Sequence, residues 1–254
     1  MDFFTRNAHE DITMSTSELI KQLKIKVFAD GANIDGIVSM SKNPLITGYT
    51  TNPTLMRKAG VQSYEKFARE LLSIVKDLPV SLEVFDDEFS EMERQALIIS
   101  SWGKNVNVKI PITNTRGESA KLLIGRLAKQ GVHVNVTAVM THAQIKDAIS
   151  EIPENQSVII SVFAGRIADT GVDPVPHMKR SLEILSSKPL AQLLWASPRE
   201  LLNIFQANEI GCHIITATND LLTKLNLVGK NLDEYSLDTV KMFFNDAKSA
   251  GYNV

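Results

Sequence analysis

The chain has 254 residues, 44% hydrophobic and 22% charged, with a formal net charge of -2. No basic run is present, which argues against nucleic acid or an anionic membrane surface as partner, and no apolar run approaches the ~18 residues of a membrane span. The single cysteine, Cys212, excludes an internal disulfide and a thiolate metal cluster, so a reducing cytoplasm is the expected setting. The opening stretch carries Asp2, Glu10 and Asp11 and lacks the apolar core of a signal peptide.

Residues 1–14 read as a polar extension, and Ser15-Thr16-Ser17-Glu18 resembles a capping box ahead of a short helix through about Leu23. From there the pattern alternates. Strands are predicted over Lys26–Ala29, Leu45–Thr50, Val80–Phe85, Val106–Ile110, Val132–Val139, Ser157–Phe163, Ala191–Ala196 and Cys212–Thr216. Helices are predicted near Ile34–Ser41 and over Ser63–Asp77, Phe89–Gly103, Gly117–Gln130, His142–Ser150 and His177–Leu185. The stretch from Phe163 through Arg166 to Asp173-Pro174 reads as a loop. Pro198 suits an N1 position, Asp220–Leu225 opens the eighth helix, and an amphipathic helix closes the chain over about Leu237–Ala250.

Eight strand–helix alternations without a composition shift or long linker predict one (β/α)8 TIM barrel rather than two domains. The expected organisation is an N-terminal extension and short helix over 1–24, then a barrel with an extra C-terminal helix over 25–254. A doubly wound sheet is the alternative.

The run Val106-Asn-Val-Lys-Ile-Pro-Ile-Thr113 carries the chemistry. With period 2, Val106, Val108 and Ile110 fall on one side and Asn107, Lys109 and Pro111 on the other. Pro111 cannot donate to a ladder, so Lys109 falls near the C-terminal end of the strand, where α/β barrels keep their sites. A lysine amine is ordinarily protonated at neutral pH; desolvation favours the neutral, nucleophilic form that condenses with carbonyls. The alternative is an edge-strand lysine reaching for water.

Further polar residues fall near other strand ends. Glu83 and Asn135 lie inside apolar runs, where an unpaired polar group costs a few kcal/mol. Glu83 and Asp30 form a carboxylate pair on different strands that can divide acid and base duties. Asn52, Asn135 and Ser161 are neutral groups suited to hydroxyls, while Arg166, Ser197 and Arg199 follow the sixth and seventh strands, where barrels often hold phosphate. Asp30 and Ser197 taken singly read equally well as helix caps.

These segments resemble the transaldolase family, including its short members and the fructose-6-phosphate aldolases. The carriers are FADGANIDGI (28–37), TTNPTL (50–55), VNVKIPIT (106–113), VNVTAVMTHAQ (134–144), SVFAGRIADTGVD (161–173) and WASPRE (195–200). The resemblance implies a (β/α)8 barrel and transfer of a dihydroxyacetone unit through a lysine Schiff base. By position, Lys109 resembles the Schiff-base lysine and Asp30 the acid/base of carbon–carbon cleavage. Glu83 and Thr137 resemble the pair holding a catalytic water. Asn52, Asn135 and Ser161 match positions that grip substrate hydroxyls, Arg166, Ser197 and Arg199 match the phosphate site, and Phe163 matches the aromatic wall beside the lysine. Free aldolases of the family tend to carry glutamine and tyrosine at the Glu83 and Phe163 positions, so this chain resembles the transferases.

The implied partners are sugar-phosphate substrates and further copies of the chain in a homo-oligomer, through the C-terminal helix. No metal and no organic cofactor are expected, because a protonated imine nitrogen is itself the electron sink. His9, His133, His142, His177 and His213 are scattered without metal-ligand spacing. The chain departs from the family pattern at Gly31, at Val162, over Asn114-Thr115-Arg116-Gly117, where one residue is extra, and at Thr216-Ala217-Thr218. Two further readings are a free aldolase and a sugar-phosphate-binding barrel without turnover.

Overall fold

A computed structural model describes residues 16–254; the polar extension and Ser15 of the expected capping box lie outside the described residues. The sheet is a closed parallel barrel with its strands in chain order. The strands are β1 (Lys26–Asp30), β2 (Ile46–Thr50), β3 (Val80–Glu83), β4 (Val106–Pro111), β5 (Val134–Val139), β6 (Val158–Val162), β7 (Ala191–Trp195) and β8 (Ile214–Thr218). Short β-branched runs favour strands, and successive side chains face alternately the barrel axis and the helices. In β4, Val106, Val108 and Ile110 are buried on the helix side while Lys109 faces the axis, as the period-2 reading requires.

The described residues fall into two compact units. Lys24–Leu222 holds the barrel with α2 (Ile34–Met40), α3 (Pro53–Lys58), α4 (Tyr64–Ile74), α5 (Phe89–Ser100), α6 (Lys121–Lys129), α7 (His142–Ser150), α8 (Ala164–Asp169), α9 (Pro174–Leu185), α10 (Leu202–Glu209) and α11 (Asn219–Leu222). The other unit holds α1 (Thr16–Lys21), a 3-10 helix over Thr223–Leu227, and α12 (Leu232–Ser249). No described helix is long and apolar enough to cross a membrane.

Local chemistry explains where the elements depart from the sequence reading. Two helices go beyond the sequence reading: α3, capped by Asn52 with Pro53 at N1, in a stretch without an assigned element, and α8, which follows β6 directly where a loop is expected. β3 stops at Glu83: the Val84 amide still donates to the Lys109 carbonyl, but those of Phe85 and Asp86 donate to Gln95 Oε1 instead. α6 starts at Lys121 rather than near Gly117, since Asn114 Oδ1 accepts the amides of Arg116 and Glu118 and closes a turn there. Asp173 accepts from the Val175 amide and starts α9 at Pro174, three residues before His177. Pro198 is not an N1 residue: α10 begins at Leu202, and the Asn203 side chain accepts the Arg199 and Glu200 amides in the preceding loop. Asn231 accepts two amides and starts α12 at Leu232, earlier than Leu237.

The barrel interior is filled unevenly. Phe28, Ile159, Leu194, Ala196 and Ile214 form an apolar cluster on the β6–β7–β8–β1 side, with Phe163 packed against it. Gly48 belongs to this packing: a Cβ there would sit 2.5 Å from the Phe28 ring, so β2 gives up a side chain to let the ring fill the axis. The β3–β5 side of the interior is polar, and it holds the groups described next.

Candidate active site

Glu83 and Lys109 are paired across β3 and β4 in the parallel register. Both therefore face the axis at one level, and Lys109 Nζ lies 2.8 Å from Glu83 Oε2. The amine also donates to the Thr51 carbonyl at 2.7 Å. Lys109 is buried at 6% exposure, so the edge-strand alternative does not hold. The sequence reading has desolvation act on the amine; the structure adds a carboxylate in direct contact with it.

Asp30, at the end of β1, is the second carboxylate. Burial pushes its carboxyl above the usual value, against the lowering pull of the Lys109 charge and a Thr50 hydrogen bond, with Glu83 adding a further upward push. A carboxyl raised in this way is better matched to taking up and returning protons near neutral pH.

Asn52, Thr137, Ser161, Phe163, Arg166, Ser197 and Arg199 line one pocket of about 520 Å³ with Asp30, Glu83 and Lys109. Asn52 Oδ1 caps α3 through the Leu55 amide, which leaves its amide nitrogen for a ligand. Thr137 lines the pocket, and its buried hydroxyl has no hydrogen-bond partner. Ala138 and Ser197 hold left-handed backbones, with φ of 60 and 57. The Ala138 kink coincides with a shift in the β5–β6 register, and such strain gathers at functional sites. At the rim, the Arg166 guanidinium lies 5.6 Å from the Phe163 ring centroid, and Arg199 forks onto Asp169, holding that carboxyl below its usual range.

Asn135, expected to grip a substrate hydroxyl, is fully buried beside Ser161 of the pocket lining. Its Nδ2 donates to Ser81 Oγ at 3.1 Å and its Oδ1 accepts from Ser161 Oγ at 2.6 Å, so the amide ties β3, β5 and β6 together. The sequence reading missed Ser81, the Thr51 carbonyl, Thr50 and Thr216. Ser81 and the two threonines have a legible signal, as polar residues in phase with the axis-facing side of their strands. Among the described residues, no group of three or more His, Cys, Asp or Glu side chains converges as a metal site would need.

The family described as Transaldolase/Fructose-6-phosphate aldolase matches the chain over residues 27–254. The chain belongs to the transaldolase/fructose-6-phosphate aldolase family. It is 35% identical over 202 residues to "Probable transaldolase 2" of Listeria monocytogenes, covering 79% of this chain and 88% of that one. It is 29% identical over 231 residues to "Probable transaldolase" of a Thermoanaerobacter species, covering 91% of this chain and all of the relative. Among solved structures, 2,3-dimethylmalate lyase aligns with a TM-score of 0.53 at 12% identity, covering 93% of this chain and 88% of that one, a likeness of fold alone. Membership of the transaldolase/aldolase family gives the chain an aldolase- or transaldolase-type function.

Removing the Asn135 amide tests whether it is a structural tie. Asn135→Ala strands the Ser81 and Ser161 hydroxyls in the interior and is expected to destabilise the barrel by about 1–3 kcal/mol. Urea unfolding would measure the loss, and an unchanged midpoint would refute the structural tie.

Proposed function

We propose that the chain is a transaldolase that moves a dihydroxyacetone unit from a ketose phosphate such as fructose 6-phosphate to an aldose phosphate. The observation that carries this reading is the buried Lys109–Glu83 contact at 2.8 Å, open to the same pocket as Asp30. In the scheme, Lys109 passes a proton to Glu83 and its free amine attacks the ketose carbonyl. The carbinolamine loses water, and Glu83 with the Thr137 hydroxyl holds that water and shuttles its protons. Asp30 then takes the proton of the hydroxyl next to the scissile bond. The carbon–carbon bond breaks, its electrons pass to the iminium nitrogen, and the aldose product leaves an enamine on Lys109. An incoming aldose phosphate accepts the enamine carbon, Asp30 returns its proton to the new hydroxyl, and hydrolysis releases the longer ketose.

Asn52 and Ser161 are assigned to substrate hydroxyls, and Arg166, Ser197 and Arg199 to the phosphate. Phe163 favours transfer over free cleavage: a phenyl ring has no acidic hydrogen to quench the enamine, so the intermediate persists until an acceptor arrives. A free aldolase would turn over a ketose phosphate with no acceptor added.

Association of copies is proposed through α12. No residue of this helix is buried, and Leu237, Val240 and Phe244 follow one another at helical spacing beside Phe243, each more than half exposed. An apolar stripe of this kind gains roughly 25 cal/mol for each Å² it removes from water, and a second copy offers the same face.

Three outcomes are expected. Borohydride added with fructose 6-phosphate should fix a covalent adduct that mass spectrometry maps to Lys109, and absence of any adduct would end the Schiff-base reading. Arg166→Ala should raise the KM for phosphorylated substrates about tenfold or more with little change in kcat, as fits loss of a charge-assisted contact. Phe243→Glu should shift light-scattering mass toward the 28.1 kDa monomer, and a wild-type chain already monomeric would refute the assembly.

A further inference from the structure

Two buried threonines beside Asp30 play no part in the scheme above. β2 and β8 flank β1: Thr50 is in register with Asp30, and Thr216, in register with Phe28, meets Thr50. Thr50 Oγ1 donates to Asp30 Oδ1 at 2.7 Å and lies 2.6 Å from Thr216 Oγ1. Both residues are nearly closed to solvent, at 3% and 5% exposure, and both reach the pocket lining.

A hydroxyl has one proton to give. Thr50 spends its proton on the Asp30 carboxylate, so the short contact with Thr216 is made with the Thr216 proton. That fixes the direction: Thr216 donates to Thr50, and Thr50 donates to Oδ1. A hydroxyl that is itself accepting becomes the stronger donor, so the outer threonine reinforces the inner bond. We propose that Thr216 and Thr50 form a two-hydroxyl relay that clamps Asp30 Oδ1 and leaves Oδ2 as the oxygen exchanging a proton with the substrate hydroxyl. The threonines are positioning residues. They hold the carboxyl plane and select its reacting oxygen, and no bond to either is made or broken. The inference rests on the acid/base role proposed for Asp30.

The charged groups facing Asp30 are Lys109 from β4 and Glu83 from β3; Thr50 supplies a hydrogen bond from β2, in turn supported by Thr216 from β8. Burial raises the Asp30 carboxyl, while Lys109 and then Thr50 lower it. Removing the Thr50 donor takes away one of the two lowering influences, so the carboxyl rises further. A general base must be deprotonated to act, and its rate is lost as pH falls through its pKa. The acidic limb of the kcat/KM profile therefore moves to higher pH in Thr50→Val. In Thr216→Val the inner donor survives without its support, and the limb moves the same way but less far.

The test measures kcat/KM for transfer from fructose 6-phosphate across pH in wild type, both valine variants, Thr50→Ser and Thr216→Ser. Borohydride trapping of the Lys109 adduct is run on each. The expected result is an adduct in every protein, kcat down about tenfold or more in Thr50→Val, an acidic limb shifted upward by each valine, and its return with each serine. Should a valine disturb folding by circular dichroism, alanine at that position reads the same limb. Adducts throughout with an unmoved limb would overturn the relay while leaving the Schiff-base reading intact. No adduct in wild type would overturn that reading, and the relay's premise with it.

Discussion

The mouth of this barrel depends on burying one ammonium–carboxylate pair. The Lys109 and Glu83 side chains are only 7% and 17% exposed, and taking each charge out of water costs several kcal/mol unless strong partners replace the solvent. The structure supplies them at 2.8 Å from the carboxylate and 2.7 Å from the Thr51 carbonyl. Such a pair needs both side chains on the axis side and at one height. The β3–β4 register provides this by setting Glu83 beside Lys109. A slip of one residue would turn one of them out among the helices. Closure of the sheet pins every strand between two others, so the register that makes the pair is held from both sides.

The same requirement explains why the interior is divided. An axis filled with aliphatic groups throughout would leave Lys109, Glu83 and Asp30 without partners. An axis polar throughout would forgo the packing that closes the cylinder. The chain places Phe28, Ile159, Leu194 and Ile214 on one side and Ser81, Asn135 and Ser161 on the other. Asn135 is what makes the polar half tolerable: its two ends each meet a serine, so the buried amide is satisfied without water. Asp30 lies close to the boundary. Phe28 precedes it on the axis side of β1, and the Thr50 hydroxyl, itself in contact with Thr216, donates to it.

Much of this is legible in the sequence. The strand positions, the phase of Lys109 in its run and the carboxylates at the ends of β1 and β3 follow from side-chain period and residue type, which act locally. What escaped the sequence depends on partners distant in the chain. That Asn135 pairs with Ser81 and Ser161 depends on residues 54 and 26 positions away. The start of α10 was misplaced because a proline suggested one boundary, whereas Asn203 captured the preceding amides and delayed the helix. The short helices α3 and α8 have too few residues to show a 3.6 period, so neither is legible as a helix.

The rim opposite Lys109 is set by backbone as much as by side chains. Ser197 is held with φ of 57, and a Cβ on Gly165 would fall 1.5 Å from its carbonyl oxygen, so the turn after β7 and the start of α8 are locked by a contact only glycine permits. That lock fixes where α8 departs and hence where Arg166 stands, one residue further on. The two rim arginines are consequently unequal. Arg199 already forks onto Asp169, so an incoming anion must compete with a carboxylate for it. Arg166 has no carboxylate within ion-pair distance among the described residues and rests near the Phe163 ring, an apolar surface that leaves its donors outward. The proposed phosphate contact is therefore less contested at Arg166 than at Arg199. Arg199 adds its charge only to the extent that Asp169 yields, and Asp169 sits on the same short helix as Arg166, so the geometry of one arginine and the availability of the other are set by a single element.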